Sequence, residues 1–219
     1  MCSNWASDDF ISQPPAEMAT AGGFNPLPPP YPKLIDPYHM WVVDMQYFQP
    51  STEIQSNGTD GIFPKEISLL KFSAIDGSVV CFTCKSDFAI MNTKEYETVQ
   101  WQKRQHRIDV HEGDVMDWML EVKRHIPAND VIFIKGHAKM EFLKRKFHEY
   151  YTVYDIDKIK SKSGETVCPK LADLFKDTRL SYGLNLHKCL MHFQKKSYMC
   201  TMPNVILLRR YVISAYKNG

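Results

Sequence analysis

The amino-acid sequence predicts an α/β domain in which helices cover both faces of a mixed β-sheet. Two observations carry this prediction. The first is a hairpin signal, Asp76-Gly77, between two β-rich runs at 62–75 and 78–84. The second is the alternation of helix-like and strand-like segments over residues 115–157. Antiparallel strands that are followed by alternating helices and strands are typical of a mixed sheet between helices.

The composition predicts one folded domain. The chain has 219 residues, of which 44% are hydrophobic and 24% charged, enough for one substantial core. The net charge of +2 neither requires nor excludes a nucleic-acid partner. No apolar run approaches the length of about 18 residues that crosses a bilayer, and no secretory signal is visible, so we expect no membrane association. The six cysteines are then expected to be reduced thiols or metal ligands in the cytoplasm, the nucleus or both.

The N-terminal segment differs from the rest in composition. We divide the chain into a Pro-rich tail at 1–38 and a folded domain at 39–219. Eight prolines, with the cluster NPLPPPYP at 25–32, predict a disordered or polyproline-II tail. Such a tail could dock in a groove of an SH3- or WW-type protein partner, or it could be solvated without a specific partner, and the sequence leaves both open.

The predicted elements follow from local patterns. The apolar run at 41–48 predicts a buried first strand, and the polar stretch at 85–113 is expected to be irregular. Asp114 is expected to cap a helix over 115–126, because apolar residues recur there at helical spacing. The later predicted elements are a strand at 131–136, a basic amphipathic helix at 137–151, a strand that ends at 157, a short helix at 168–175 and a last helix that begins at Pro203.

The stretch HKCLMHFQKKSYMC at 187–200 predicts a metal site. Cys189 and His192 are three residues apart, which places them on one face of a helix, and Cys200 follows after seven further residues. Two thiolates and an imidazole are three of the four ligands of a tetrahedral zinc ion. The fourth ligand has to come from elsewhere in the chain.

Other interpretations of these residues stay open. The two cysteines could be small buried hydrophobic residues, and His192 could be a hydrogen-bonded core histidine. A second half-site, Cys81-x-x-Cys84, could bind a metal together with His106 or His111. It is the weaker candidate, because an offset of three within a strand directs the two side chains to opposite faces.

The order of the predicted elements is that of the ribonuclease-H-like fold, and the motifs resemble those of DEDD exonucleases. Those enzymes hold two metal ions with four carboxylates. Their first motif is D-x-E, and here Asp44 is present while Gln46 replaces the glutamate. Where the second motif has an aspartate four residues before a leucine, this chain has Lys139. Asp44 alone would bind Mg²⁺ only weakly.

The third motif of that family, H-x-A-x-x-D, corresponds to residues 187–192. His187 is kept, Cys189 replaces the alanine and His192 replaces the aspartate. Three of the four carboxylates are therefore absent. The chain resembles an exonuclease descendant that has lost its two-metal site.

The replacements resemble the Maelstrom domain, a ribonuclease-H-like module with a Glu-His-Cys-Cys zinc set. Cys189, His192 and Cys200 match its C-x2-H-x7-C spacing, and the strand from Glu66 to Ser73 before Asp76-Gly77 resembles the strand that carries its glutamate. The likeness covers about residues 40–215. It implies a structural zinc bound by Glu66, Cys189, His192 and Cys200, although Glu66 could also be an ordinary solvent-facing carboxylate.

The leading functional hypothesis is an RNA-binding module. The same resemblance would imply a role in small-RNA or mobile-element silencing. Basic side chains would contact phosphates, and Trp101 could stack on a base of single-stranded RNA. These basic residues could equally be solvated surface. The predicted RNA-binding residues are Lys103, Arg104, Arg107, Lys139, Lys144 and Arg145.

Two further functions stay open. The Maelstrom family is credited with metal-independent cleavage of single-stranded RNA, which makes an endonuclease the first alternative. Its catalytic residues are unknown, and His137, Lys139 and His187 are candidates by chemistry alone. The second alternative is a zinc-stapled scaffold that recruits a protein partner through the tail at 1–38.

Overall fold

A computed structural model describes the greater part of the predicted domain. The Pro-rich segment up to residue 35 and His187 lie outside the described residues, as does most of the predicted helix around the metal motif. The described residues are 36–49, 61–86, 92–159, 168–184, 189, 192 and 200–217.

Within these ranges, five strands form one mixed sheet in the order β3-β2-β1-β4-β5. The first three strands are antiparallel neighbours, while β4 lies parallel to β1 and β5 parallel to β4. This order and these directions confirm the predicted ribonuclease-H-like sheet. The strands are β1 (Met40–Phe48), β2 (Phe63–Lys71), β3 (Val80–Thr83), β4 (Val131–Ile134) and β5 (Thr152–Asp155).

Helices cover both faces of the sheet, as predicted. One apolar cluster joins alternate residues of β1 and β2 to the last helix, and a second cluster joins the intervening residues to the second and third helices. Successive strand residues point to opposite faces, so each strand serves both layers. The helices are α1 (Thr93–His106), α2 (Trp118–His125), α3 (His137–Phe147), α4 (Leu171–Leu174), α5 (Thr178–Ser181) and α6 (Thr201–Lys217). None of the described helices is both long and apolar enough to cross a membrane.

The prediction that residues 85–113 are irregular was wrong for α1. This helix begins after Asn92, whose side chain accepts the backbone N–H of Glu95. Its buried residues are only Val99 and His106, so the sequence has too few apolar positions to show helical periodicity. The helix forms because one narrow side packs beside the end of β1.

The helix predicted over 115–126 begins later, at Trp118, and Asp117 rather than Asp114 is its cap. The Asp117 carboxylate accepts the N–H of Leu120. The backbone N–H groups of Asp114 and Val115 instead donate to the carbonyl of Thr83, which ties this segment to the end of β3. Tertiary hydrogen bonds thus override the local capping signal.

A buried lysine fixes β2 at the residue before the predicted ligand Glu66. The Lys65 side chain is fully buried, and its ammonium donates to the carbonyls of Cys84, Val110 and Glu112. Neighbouring strand residues point to opposite faces. Lys65 therefore anchors β2 from one face and leaves Glu66 directed to the other, toward α6.

Candidate metal centre

Glu66 lies in the middle of the sheet and is fully buried. It is opposite Gln46 on β1 and Thr83 on β3. The backbone N–H of Thr201, at the start of α6, donates to Glu66 Oε2 at 2.9 Å. This bond holds one carboxylate oxygen and leaves Oε1 directed toward the residues of the C-x2-H-x7-C motif.

The structure brings the four predicted metal-binding residues together. From Glu66 Oε1, Cys189 Sγ is at 2.9 Å, His192 Nδ1 at 3.0 Å and Cys200 Sγ at 3.8 Å. The donor atoms of all four residues lie within 4.8 Å of one another. Residues more than 120 positions apart in sequence thus meet at one carboxylate oxygen, with Glu66 and Cys189 separated by 123 positions.

Groups around the cluster orient its members. His192 Nε2 donates to the backbone carbonyl of His106 at 2.6 Å, which directs Nδ1 to the cluster. Metal-binding histidines commonly donate their second ring N–H to a carbonyl in this way. The hydroxyls of Thr201 and Ser68 are 2.6 Å apart and join the start of α6 to β2. Each ligand is therefore positioned by the sheet, by α6 or by the end of α1.

The protonation states of Glu66 and His192 depend on each other. Burial alone would raise the pKa of Glu66, but hydrogen bonds from His192, Cys189 and the Thr201 N–H outweigh it and lower this pKa. Burial alone would lower the pKa of His192, but its contacts with Cys200 and Glu66 raise it to about 10. Glu66 is thus held as a carboxylate at neutral pH in a fully buried position.

The two thiols hold their protons unless a cation replaces them. The contact with Cys200 favours the Cys189 thiolate, yet Cys81, burial and Glu66 outweigh it and raise the pKa of Cys189. Contact with Cys189, followed by burial, raises the pKa of the Cys200 thiol. Binding of a divalent cation would therefore have to displace these protons.

The residues present fit a zinc ion. Two sulfurs, one imidazole nitrogen and one carboxylate oxygen are the ligand types of protein zinc sites, and metal bonds of about 2.0–2.3 Å place tetrahedral ligands roughly 3.3–3.8 Å apart. The measured separations from Glu66 Oε1, 2.9–3.8 Å, are close to this range. Four protein ligands leave no position for water, so the metal would stabilise the fold rather than catalyse a reaction.

The second cysteine pair, Cys81 and Cys84, does not form a site of its own among the described residues. Cys84 is buried in the core cluster on the α2 and α3 side of the sheet, where burial raises its pKa to about 12. Cys81 lies on the Glu66 side. Of the two candidate histidines, His106 is buried, with its pKa lowered to about 4 by burial, and His111 is exposed.

Asp44, the residue that corresponds to the first exonuclease motif by sequence resemblance, has its charge partners within the chain. Its carboxylate is 1% exposed and accepts Lys139 Nζ at 2.6 Å and Asn204 Nδ2 at 2.7 Å. The Lys139 ammonium is thus the cation that pairs with the buried Asp44 carboxylate. The sequence identified Asp44 and Lys139 but not Asn204, which carries no local signal apart from its place next to Pro203.

The predicted RNA-binding residues occupy three separate places. Lys103 forms an ion pair with Asp109, and Lys139 forms an ion pair with Asp44. The others are exposed at the end of α1 or in the last turn of α3, and Trp101 on α1 is 56% exposed. The exposed basic residues are Arg104, Arg107, Lys144 and Arg145.

Comparisons with known proteins add a likeness to solved structures. No protein-family model matches the sequence, and no curated protein matches it. Among solved structures, the chain is similar to the X-ray structure of the RNase domain of the yeast Pop2 protein, with a TM-score of 0.41 and 16% sequence identity. The match covers 81% of this chain and 76% of that chain. The fold assignment rests on the strand order and directions of the sheet itself.

We expect the purified protein to contain about one zinc per chain and to lose it in His192→Ala and Cys200→Ser. Zinc at this site would bind only the folded state, so its loss should lower the unfolding temperature by about 5–10 °C. Elemental analysis and thermal unfolding measure both effects. Cys168→Ser, which changes a buried thiol outside the cluster, is the matched control and should keep its zinc. Equal zinc content in His192→Ala and the wild type would contradict the site.

We expect zinc affinity to fall as the pH is lowered from about 8 to about 6. In the metal-free protein, the raised pKa values of Cys189, Cys200 and His192 keep all three protonated at neutral pH. Each proton has to leave before its donor can bind zinc, so acid competes with the metal. Competition with a chelator across this range measures the slope, and a pH-independent affinity would rule out ligation by these groups.

We expect Lys139→Met to destabilise the fold by about 3–5 kcal/mol, because it leaves the buried Asp44 carboxylate without its cation. The double variant Asp44→Asn/Lys139→Met should recover most of this loss, since the uncompensated charge is gone. Urea unfolding of the two single variants and the double variant measures the coupling. Lys176→Met, which breaks an exposed pair with Asp173, is the control and should cost less than about 1 kcal/mol. Additive effects of the two substitutions would show that the pair is not coupled.

Proposed function

We propose that this chain is an RNA-binding module whose ribonuclease-H-like fold is stabilised by a structural zinc and lacks the two-metal exonuclease reaction. One observation carries the proposal. Asp44 on β1 is neutralised by Lys139, while the buried ligand cluster is built around Glu66, on the neighbouring strand β2. Metal binding is thereby moved from the carboxylates of a catalytic site to a closed set of ligands.

The loss of two-metal chemistry follows from charge. Two hard cations close together need several carboxylates to offset their repulsion and to activate water. Here Asp44 retains its carboxylate, but Gln46 is neutral and Lys139 is a cation in hydrogen-bond contact with Asp44. A divalent metal beside Asp44 would have to displace the Lys139 ammonium, and Asp44 would be its one carboxylate ligand among these three residues.

The proposed zinc would act on the fold. It would join β2 to Cys189 and His192 and to the start of α6, which otherwise meet through hydrogen bonds. The free energy of metal binding at such a site adds to the free energy of folding, because the ligands are not assembled in the unfolded chain. The metal would thus hold α6 against the sheet.

RNA binding is supported by exposed positive charge and an exposed aromatic ring. Arg104 and Lys144 point into solvent, where they can contact phosphates without first breaking a buried pair. Trp101 on α1, three residues before Arg104, offers a ring on which an unpaired base can stack. A more specific role, as a Maelstrom-like module in small-RNA or mobile-element silencing, is supported by the sequence resemblance alone.

We expect the combined variant Arg104→Gln/Lys144→Gln to bind single-stranded RNA more weakly than the wild type. The slope of log affinity against log salt should decrease in magnitude by about 1.4, from about 0.7 for each lost phosphate contact. Fluorescence anisotropy with a labelled oligonucleotide at several salt concentrations measures this slope. Lys94→Gln, at the exposed opposite end of α1, is the control and should bind like the wild type.

The same RNA incubated with the wild type distinguishes binding from cleavage. We expect no cleavage that depends on added Mg²⁺ and on Asp44. Cleavage that persists in a chelator would favour the endonuclease alternative, whereas absence of any binding at low salt would reject the RNA-binding proposal. Cleavage that requires Mg²⁺ and is lost in Asp44→Asn would contradict the loss of two-metal chemistry.

A further inference from the structure

A third thiol lies beside the proposed metal centre. Cys81 on β3 is paired across the sheet with Ser68, which is two positions after Glu66 on β2. Residues two apart on a strand share a face, so Cys81 and Glu66 point to the same side of the sheet. Cys81 Sγ is 3.9 Å from Glu66 Oε1.

The geometry is centred on one oxygen atom. Cys189, His192 and Cys200 lie 2.9, 3.0 and 3.8 Å from Glu66 Oε1, and Cys81 at 3.9 Å is as near as Cys200. Glu66 Oε1 is thus surrounded by three sulfurs and one nitrogen. If the carboxylate were withdrawn, the space it leaves would have three cysteines and one histidine around it.

Such a ligand set is chemically suited to the same metal. Three cysteines with one histidine are among the usual structural zinc sets, and thiolate is a softer ligand than carboxylate. Replacing one anionic carboxylate by one anionic thiolate leaves the total ligand charge unchanged. Cys81 is only partly buried, so its side chain has room to move, in contrast to the buried Cys200.

We propose that Cys81 is a reserve ligand of the metal centre, which completes a set of three cysteines and one histidine when the Glu66 carboxylate withdraws. The inference rests on the proposed zinc site and deepens it. The centre then has five available donors for four positions, and Glu66 and Cys81 alternate in the fourth. Glu66 binds in the fully buried arrangement, in which the Thr201 N–H holds its second oxygen.

The test uses the full chain loaded with zinc or with cobalt(II) in the wild type, Glu66→Ala, Glu66→Ala/Cys81→Ala and Glu66→Ala/Cys84→Ala. We expect Glu66→Ala to keep about one metal per chain and its thiolate-to-cobalt absorbance to rise about 1.5-fold, as three thiolates replace two. Glu66→Ala/Cys81→Ala should lose more than about 100-fold in zinc affinity relative to Glu66→Ala. Glu66→Ala/Cys84→Ala is the matched control, because Cys84 is buried on the other side of the sheet, and it should behave like Glu66→Ala.

A second variant covers the case in which Glu66→Ala does not fold. Glu66→Asp keeps the charge but withdraws the carboxylate by one methylene, so it should give the same rise in absorbance and lose that rise when Cys81→Ala is added. Metal binding by the wild type together with its loss in both Glu66→Ala and Glu66→Asp would overturn this inference alone. Absence of metal in the wild type would overturn the proposed zinc site, and this inference with it.

Discussion

The buried carboxylate of Glu66 is the group on which the rest of the site depends. A charged group without solvent is costly unless it is fully compensated, and Glu66 is 0% exposed. Its Oε2 is compensated by the Thr201 N–H and its Oε1 by the motif residues Cys189 and His192. Because these partners are distant from Glu66 in sequence, satisfying one carboxylate fixes the start of α6, Cys189 and His192 against the sheet.

The sheet register explains why the candidate metal centre and the Asp44–Lys139 pair are neighbours and yet distinct. Glu66 is paired with Gln46, and Asp44 precedes Gln46 by two residues on the same strand. The three side chains therefore lie on the face that α6 covers, and α6 supplies a partner to each buried acid. Thr201 serves Glu66, and Asn204, three residues later, serves Asp44. A single helix thus contributes to both sites, and a displacement of α6 would remove one hydrogen-bond partner from each of the two buried carboxylates.

The two buried acids, Asp44 and Glu66, have partners of different chemistry. The cation of Asp44 is a lysine ammonium, which is part of the chain and cannot be exchanged. Glu66 is beside the imidazole of His192 and two protonated thiols, and the thiol protons can be exchanged for a metal ion. Asp44 therefore has a charge partner within the chain. The proposed metal dependence of the fold is confined to the cluster that joins α6 to β2.

The sequence by itself determined the fold class and the cysteine and histidine residues of the candidate metal centre. The Asp76-Gly77 hairpin, the alternation of elements and the C-x2-H-x7-C spacing are local patterns that a chain shows before it folds, whereas Glu66 followed only from a family resemblance. Only the tertiary structure decided that residues 93–106 form a helix, that Asn204 joins Lys139 on Asp44, and that Cys81 faces the cluster while Cys84 does not. These features depend on strand register and on contacts between residues as far apart as Asp44 and Asn204, 160 positions. No local periodicity encodes such contacts, because each partner has an ordinary pattern in its own segment and gains its role only when the sheet and α6 are packed together.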